Sequence, residues 1–377
     1  MTHSILPPSS AGIWGKTGGC TAWPLFAPQY PEDEETIEAK EGTAVHEIAA
    51  HMIEGLPVAK VGDTTSNGIN VSEEMIETAA VYADDVVAVA NVVGRENLRV
   101  EQRIEIPRIH PYCYGTPDAS NYHSATNRLY VWDLKNGFGV VEAFENYQGV
   151  AYVAGLLDLY GINGQLDQET TVHIRIVQPR AFHRDGPIRE WIVKASDLRA
   201  HINIMAGNAA VALGDKGECV TGEHCRYCPA RHACPAALKT GMTLFETVSK
   251  PIPSELPPTA LGIQMRLIKR AREQLEYLET GYEAQLDGIL RKGGTVPGWT
   301  MQEKFGRERW NKPVEEVIQL GDMMGISLAK PTAVTPLQAK KLGIDAAVIS
   351  AYSIKPPTGL KLVPDNDNKA RKVFDNE

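Results

Sequence analysis

The stretch Arg128-Leu-Tyr-Val-Trp-Asp-Leu-Lys135 decides the fold, because it combines a strand signal with two charged residues at its end. Its β-branched and aromatic residues predict a strand over 128–134. Side chains alternate along a strand, so Asp133 and Lys135 are predicted to share one face. A carboxylate that holds a divalent cation, with an amine beside it, could orient and deprotonate one water molecule. The stretch therefore predicts both a sheet and a candidate catalytic pair.

Two short motifs flank this strand. Gly115-Thr-Pro-Asp118 precedes it in a predicted turn, and Gln148 and Tyr152 follow it on a predicted helix, four residues apart and hence on one helical face. Taken alone, Asp-x-Lys is more often a surface ion pair, and Gln and Tyr at this spacing are more often an ordinary half-buried face. The order of all three motifs, with a strand and a helix between them, favours a single site.

The remaining periodicity predicts an α/β or α+β core. Helices are predicted over 41–53, 72–93, 142–160 and 197–213, and further strands over 98–106 and 171–178. A proline-rich linker near 250–258 and a long amphipathic helix over 261–291 predict a helical C-terminal appendage. We therefore expect two regions, 1–250 and 251–377.

The composition predicts a globular protein of the cytoplasm. The 377 residues are 43% hydrophobic and 23% charged, a balance that supports a sizeable core. No stretch approaches the roughly 20 apolar residues of a membrane span, and residues 1–10 lack the apolar segment of a signal peptide. The formal net charge of -9 argues against a surface coated with basic residues, although a local basic groove is compatible with it.

Cysteine spacing predicts a metal centre. Cys225, Cys228 and Cys234 form a Cys-x2-Cys-x5-Cys motif, and thiolates bind zinc or iron–sulfur clusters. Three thiolates do not complete a tetrahedral site, so a fourth ligand is expected from elsewhere in the chain. Candidates in the neighbourhood are Cys219, His224 and His232; buried free thiols are the alternative, and Cys113 is expected to be a core thiol.

Together these motifs resemble the RecB-like branch of the PD-(D/E)xK nucleases. Three further phrases are similar to phage- and prophage-encoded members: Glu41-Gly-Thr-Ala-Val-His46-Glu, Asn146-Tyr-Gln148 and Pro356-Pro-Thr-Gly-Leu-Lys-Leu-Val-Pro364. The resemblance implies a restriction-endonuclease-type core, with a central mixed sheet flanked by helices. It also implies an exonuclease that uses Mg²⁺ or Mn²⁺ on single-stranded DNA or duplex ends. The implied setting is phage DNA replication or recombination in the bacterial cytoplasm, with proteins of those processes as further partners and an oligomer left open.

The resemblance also implies roles for individual residues. His46, Asp118 and Asp133 would ligate the cation with the Leu134 carbonyl, although a lone histidine on an amphipathic helix is usually structural. Lys135 would be the catalytic lysine, Gln148 and Tyr152 would complete the family's Gln-x-x-x-Tyr motif, and Glu101 would be an outer or second-metal ligand.

The iron–sulfur members of this branch have one cysteine before the nuclease motifs and three after them. This arrangement implies that Cys20 joins Cys225, Cys228 and Cys234 around a 4Fe–4S cluster, with Zn²⁺ as the alternative. Such a centre would tether the two ends of the nuclease domain.

Two other functional classes stay open at this point. One is a catalytically silent DNA-binding or scaffold protein on the same fold, and the other is a zinc-stabilised structural module. In the C-terminal region, basic residues of the long helix could contact phosphate or simply be solvated: Arg266, Lys269, Arg270 and Arg272. Trp299, Arg307, Arg309 and Trp310 suit base stacking, but they are equally plausible as core residues.

Overall fold

The structure, a computed structural model, describes residues 4–33, 35–248 and 255–299. These residues all belong to one contact unit, Met1–Met301. Within the described ranges, no helix combines the length and the apolar character needed to cross a membrane. The predicted boundary at residue 250, the phrase at 356–364, and Arg307, Arg309 and Trp310 lie outside the described residues.

Helices and strands alternate along the described chain. The helices are α1 (Ala11–Trp14), α2 (Trp23–Phe26), α3 (Ile37–Glu54), α4 (Glu73–Val93), α5 (Tyr147–Leu159), α6 (Gln165–Glu169), α7 (Ala195–Ala212), α8 (Pro235–Val248) and α9 (Pro258–Arg291). The strands are β1 (Arg99–Val100), β2 (Ile104–Glu105), β3 (Tyr114–Gly115), β4 (Ala119–His123), β5 (Arg128–Leu134), β6 (Thr171–Val177) and β7 (Ile188–Lys194).

A five-stranded mixed sheet forms the centre of the fold, in the order β1-β4-β5-β6-β7. β5 and β6 pair in parallel, whereas the other neighbours pair antiparallel. A parallel pair needs a crossover connection, and α5 lies in the segment that joins β5 to β6. The β4–β5 register sets Ala119 opposite Trp132, which brings Asp118 beside the end of β5.

Helices cover both faces of the sheet. α3 and α4 pack on one face, where Tyr130, Trp132 and Leu134 of β5 enter their hydrophobic core. α5 and α7 pack on the other face against Leu129 and Val131. The alternation of β5 therefore directs Asp133 towards the α5 side. The fold is a mixed α/β architecture with a central mixed sheet.

α5 approaches its neighbours closely through two glycines. A Cβ atom built on Gly149 would lie 2.6 Å from Ile174 Cγ2, and one built on Gly155 would lie 2.8 Å from the Glu105 carbonyl oxygen. The second contact is with backbone, which cannot move aside as the end of a flexible side chain can. The small residues thus fix how near α5 can come to the sheet and to β2.

Gly155→Ala is expected to destabilise the protein, even though alanine favours helices by about 1 kcal/mol over glycine. Overpacking of a close contact costs about 1–3 kcal/mol, and here the contact atom is a carbonyl oxygen 2.8 Å away, so the clash should prevail. The control is Gly207→Ala in α7, where an added Cβ meets nothing within 4 Å and a gain of up to about 1 kcal/mol is expected. Urea unfolding of both variants gives the free energies; equal stabilisation by the two changes would contradict the close approach.

Several predicted elements are confirmed. α4 begins after an N-cap at Ser72, whose side chain accepts from the Met75 amide, and it ends at Gly94. β5 has the predicted bounds, and β6, α7 and α9 each lie within two or three residues of their predicted ends. The helix predicted over 142–160 is shorter, because Asn146 caps it by accepting from the Gly149 amide.

The single strand predicted over 98–106 is wrong. Glu101 has a φ of 46°, a left-handed conformation that interrupts the extended chain between β1 and β2. β1 joins the main sheet, whereas β2 pairs with β3 in a separate two-stranded sheet. Three further strands, β3, β4 and β7, were not predicted; β4 buries the polar side chains of Ser120 and Asn121, so its sequence lacks the hydrophobic alternation of a strand.

Candidate active site

Residues from four distant parts of the chain meet at the end of β5. His46 comes from α3, Asp118 precedes β4, and Asp133 and Lys135 lie at the end of β5, as the Asp-x-Lys motif predicts. Gln148 reaches the same place from the first turn of α5. The carboxylate of Asp118 accepts a hydrogen bond of 2.6 Å from the Leu134 amide, which ties the two polar motifs together.

His46, Glu101 and Asp118 form a compact group of possible cation ligands. One ligand atom from each lies within 4.8 Å of the other two. His46 Nδ1 is 3.4 Å from Asp118 Oδ1 and 3.6 Å from Glu101 Oε1. Oxygen and nitrogen ligands held at about 2.1 Å by an octahedral Mg²⁺ lie about 3.0 Å apart when adjacent and about 4.2 Å apart when opposite. The observed separations fit a cation of this kind with small shifts.

The Leu134 carbonyl lies on the other side of the imidazole. His46 Nε2 is 3.1 Å from it, a hydrogen-bond distance that fixes the ring, while Nδ1 faces the two carboxylates. Burial alone would lower the pKa of His46, but the carboxylates of Asp118 and Glu101 outweigh burial and raise the pKa to about 10. The raised pKa reflects a strongly negative potential at this point, and such a potential attracts a cation.

Asp133 and Lys135 form a second, more buried pair. Lys135 Nζ lies 2.8 Å from Asp133 Oδ2 and donates to Gln148 Oε1 over 3.1 Å. Only 4% of the Asp133 side chain is exposed. Burial raises the pKa of Asp133 to about 6, although the Lys135 ammonium lowers it and Asp118 raises it further. Asp133 is not one of the compact group of three; its carboxylate faces the lysine.

Tyr152 lies behind Gln148 on α5, on the predicted shared face. Burial raises the pKa of the Tyr152 hydroxyl, and Asp118 adds to this, whereas a hydrogen bond with Gln148 opposes it. The ring also explains the glycine of the Gly-x-x-Asp turn: a Cβ atom on Gly115 would lie 3.1 Å from Tyr152 Cε1 and 2.8 Å from Pro8 Cγ. Tyr152 therefore acts first as a packed support for the turn that leads to Asp118.

Glu101 is the site residue that sequence reasoning underrated. Its left-handed backbone conformation costs about 1–3 kcal/mol for a residue with a side chain. The Glu101 amide donates to the Asp118 carbonyl over 3.1 Å, so the strained residue is bound to the site's own turn. Backbone strain held beside a candidate site points to a positioned carboxylate. The alternating sequence around Glu101 predicts a continuous strand, and it therefore gave no sign of this left-handed residue.

Five thiols line a second cavity, away from the carboxylates. Its sulfur-bearing residues are Cys20, Cys219, Cys225, Cys228 and Cys234. Cys20 comes from the loop before α2 and the others follow α7, so segments about 200 residues apart in sequence meet here. Cys219 lies within hydrogen-bonding distance of Cys234, which makes it a fifth thiol at a site predicted to have four.

The thiols repel one another as thiolates. Burial raises the pKa of Cys228 to about 11, and Cys225, Cys20 and Cys234 raise it further, so a cation or cationic cluster is needed to hold them ionised. Thiolates of this kind are ligands both for Zn²⁺ and for iron–sulfur clusters.

α9 is anchored to the cysteine segment. Arg270 donates to the hydroxyl of Thr221 at 2.6 Å and to its carbonyl at 3.0 Å. Arg231, of which 4% is exposed, donates to the Cys228 carbonyl and to Asp33. The predicted phosphate contact of the basic α9 residues thus competes, at Arg270, with a structural role. Trp299 is 61% exposed and remains available for contact.

A comparison of the sequence with protein families gives one match. The family DUF2800, described as a protein of unknown function, matches residues 3–370. The chain belongs to this family. No curated protein is similar enough in sequence to count as a match. The matched residues include both the carboxylate site and the five cysteines, so the two sites lie within one family region.

Proposed function

We propose that this DUF2800 protein is a metal-dependent deoxyribonuclease with a RecB-like PD-(D/E)xK core. The observation that carries the proposal is the convergence of His46, Asp118, Asp133 and Lys135 at the end of one strand. These residues come from three separate parts of the chain, α3, the turn before β4 and the end of β5, and the fold brings the predicted ligands and the predicted lysine together. The mixed sheet with helices on both faces is compatible with such a core.

His46, Asp118, the Leu134 carbonyl and Asp133 would hold Mg²⁺ or Mn²⁺, and Glu101 joins them as a further carboxylate. A bound divalent cation would supply charge neutralisation at the phosphate and lower the pKa of a water molecule. Lys135 is fixed by Asp133 and Gln148. Its amine would orient that water towards the phosphorus and accept the proton that the water loses. Tyr152 would keep Gln148 in place through their hydrogen bond.

The cysteine cavity would hold a 4Fe–4S cluster through Cys20, Cys225, Cys228 and Cys234. Thiolate chemistry supports a metal centre here, and the resemblance, with one cysteine before the carboxylate motifs and three after them, favours the cluster over a zinc ion. The centre would be a tether, because it joins segments about 200 residues apart in sequence. Exonuclease action on DNA ends, a role in phage replication or recombination and a bacterial cytoplasmic setting follow from the resemblance alone, and they form part of the proposal on that ground.

The direct test is digestion of end-labelled single-stranded and double-stranded DNA by the purified full chain. We expect hydrolysis with Mg²⁺ or Mn²⁺, none with excess chelator, and recovery when the cation is restored. A ladder shortened from one labelled end would indicate exonuclease action. Tight DNA binding without any hydrolysis, under every cation tried, would instead identify a silent DNA-binding protein and end the enzymatic proposal.

A further inference from the structure

The loop that follows Lys135 presents an aromatic ring to solvent. Phe138 lies three residues after the lysine, and 64% of it is exposed. Three residues span at most about 11 Å, and one DNA strand rises about 3.4 Å per nucleotide. The backbone at Phe138 therefore lies within about three nucleotide spacings of the backbone at Lys135. An exposed phenylalanine three residues from the candidate catalytic lysine is a candidate contact for a ligand.

Buried polar groups hold this loop in place. Gln178, which is fully buried, donates from Nε2 to the carbonyls of Gly137 and Gly139 over 2.8 and 2.7 Å, one on each side of Phe138. Its Oε1 accepts from the Val141 amide and from Arg189. These bonds satisfy the buried amide, and they also hold the loop in one conformation, which reduces the conformational entropy that a partner would have to remove on binding.

A guanidinium group lies over the Phe138 ring. Arg180 Cζ is 4.4 Å from the ring centroid. Arg180 is itself held by Glu74 at 3.1 Å and Glu41 at 3.6 Å, and it donates to the Asn136 carbonyl. The Arg180 guanidinium fixes the orientation of the Phe138 ring from one side, and the exposed part of the ring is free to stack on a second planar group.

We propose that Phe138 is a stacking platform for an unpaired nucleobase of the strand that is cut. The inference rests on the proposed nuclease function and specifies its substrate: single-stranded DNA, or a frayed end, rather than an intact duplex. Bases inside a duplex have both faces covered by their neighbours, whereas an unpaired base can offer one face to a ring. Stacking also tolerates any sequence, because every base has a planar face.

The test measures binding to short single-stranded oligonucleotides that carry 2-aminopurine at successive positions, with Ca²⁺ in place of Mg²⁺. We expect Phe138→Ala to weaken binding by about 5- to 150-fold and to abolish the fluorescence quenching at one position. Phe138→Trp should restore both, whereas Phe138→Leu should not. The matched control is Phe144→Ala, which removes a ring of similar exposure, 66%, that packs against Trp191 on β7 instead.

An abasic nucleotide at the quenched position gives the second half of the test. The abasic nucleotide should weaken binding by the natural chain. It should not weaken binding by Phe138→Ala further, because that variant has already lost the stacking contact. Unchanged affinity and quenching in Phe138→Ala overturn the platform, and an equal loss of affinity for a fully paired duplex with closed ends overturns the unpaired base. Both readouts need no cleavage, so they are independent of the result for nuclease activity itself.

Discussion

Lys135→Ala is expected to lower the rate of DNA hydrolysis by about 10²- to 10⁴-fold, the usual contribution of a positioned proton-transfer group. The lysine Nζ is held at 2.8 Å from Asp133 and 3.1 Å from Gln148, so its removal deletes the group that the proposal assigns to activation of the attacking water. The candidate cation ligands stay in place. Mn²⁺ binding, followed by calorimetry, should therefore change far less than turnover.

Two controls distinguish catalysis from damage to the fold. Lys60→Ala removes an exposed lysine from the loop between α3 and α4, and it should leave turnover unchanged. Lys135→Arg keeps the charge but replaces a compact ammonium by a planar fork, so we expect it to remain impaired. Equal DNA degradation by the natural chain and by Lys135→Ala would remove Lys135 from the catalytic assignment.

Cys225→Ser is expected to abolish the iron content of the purified protein and the broad visible absorption that accompanies it. Loss of a centre that crosslinks a long segment should lower the free energy of unfolding by about 3 kcal/mol or more. In a domain of this size, that corresponds to a fall of about 6–12 °C in the melting temperature. Metal analysis and thermal unfolding measure the two effects separately.

Cys219→Ser is the matched control, because its thiol lines the same cavity yet leaves the four predicted ligands intact. It should retain iron and colour. If this variant loses the cluster while Cys234→Ser keeps it, Cys219 is the ligand and the predicted set is wrong by one residue. A colourless natural protein with one zinc ion per chain would contradict the iron–sulfur proposal and favour the structural zinc module.

Local patterns predicted the parts of the site that depend on neighbouring residues. Period-two alternation placed Asp133 and Lys135 on one face, and helical spacing placed Gln148 and Tyr152 together. The contact of His46 with Asp118 was reached through resemblance, since no short-range rule brings α3 to the end of β5. The grouping of Cys20 with the later cysteines also depended on the resemblance.

Other features depend on backbone conformation and on tertiary contacts that no local pattern reveals. The left-handed conformation of Glu101 turns an apparent strand into two and brings its carboxylate to His46. Buried Gln178 fixes the loop of Phe138 from another strand end, so neither residue stands out in the sequence. In the polar strand β4, the side-chain amide of Asn121 donates to the Gly94 carbonyl, a tertiary bond that offsets part of the cost of burying polar groups.

The contact of the Cys20 segment with the Cys225 segment also limits when the cysteine cavity can form during synthesis of the chain. About 200 residues separate the two cysteines, and ribosomes add roughly 5–20 residues per second, so Cys20 waits about 10–40 s for its partners to emerge. Throughout that interval it is an unshielded thiol on a nascent chain. The cavity of five sulfurs can therefore close only after every strand of the sheet that bears Asp133 has been translated.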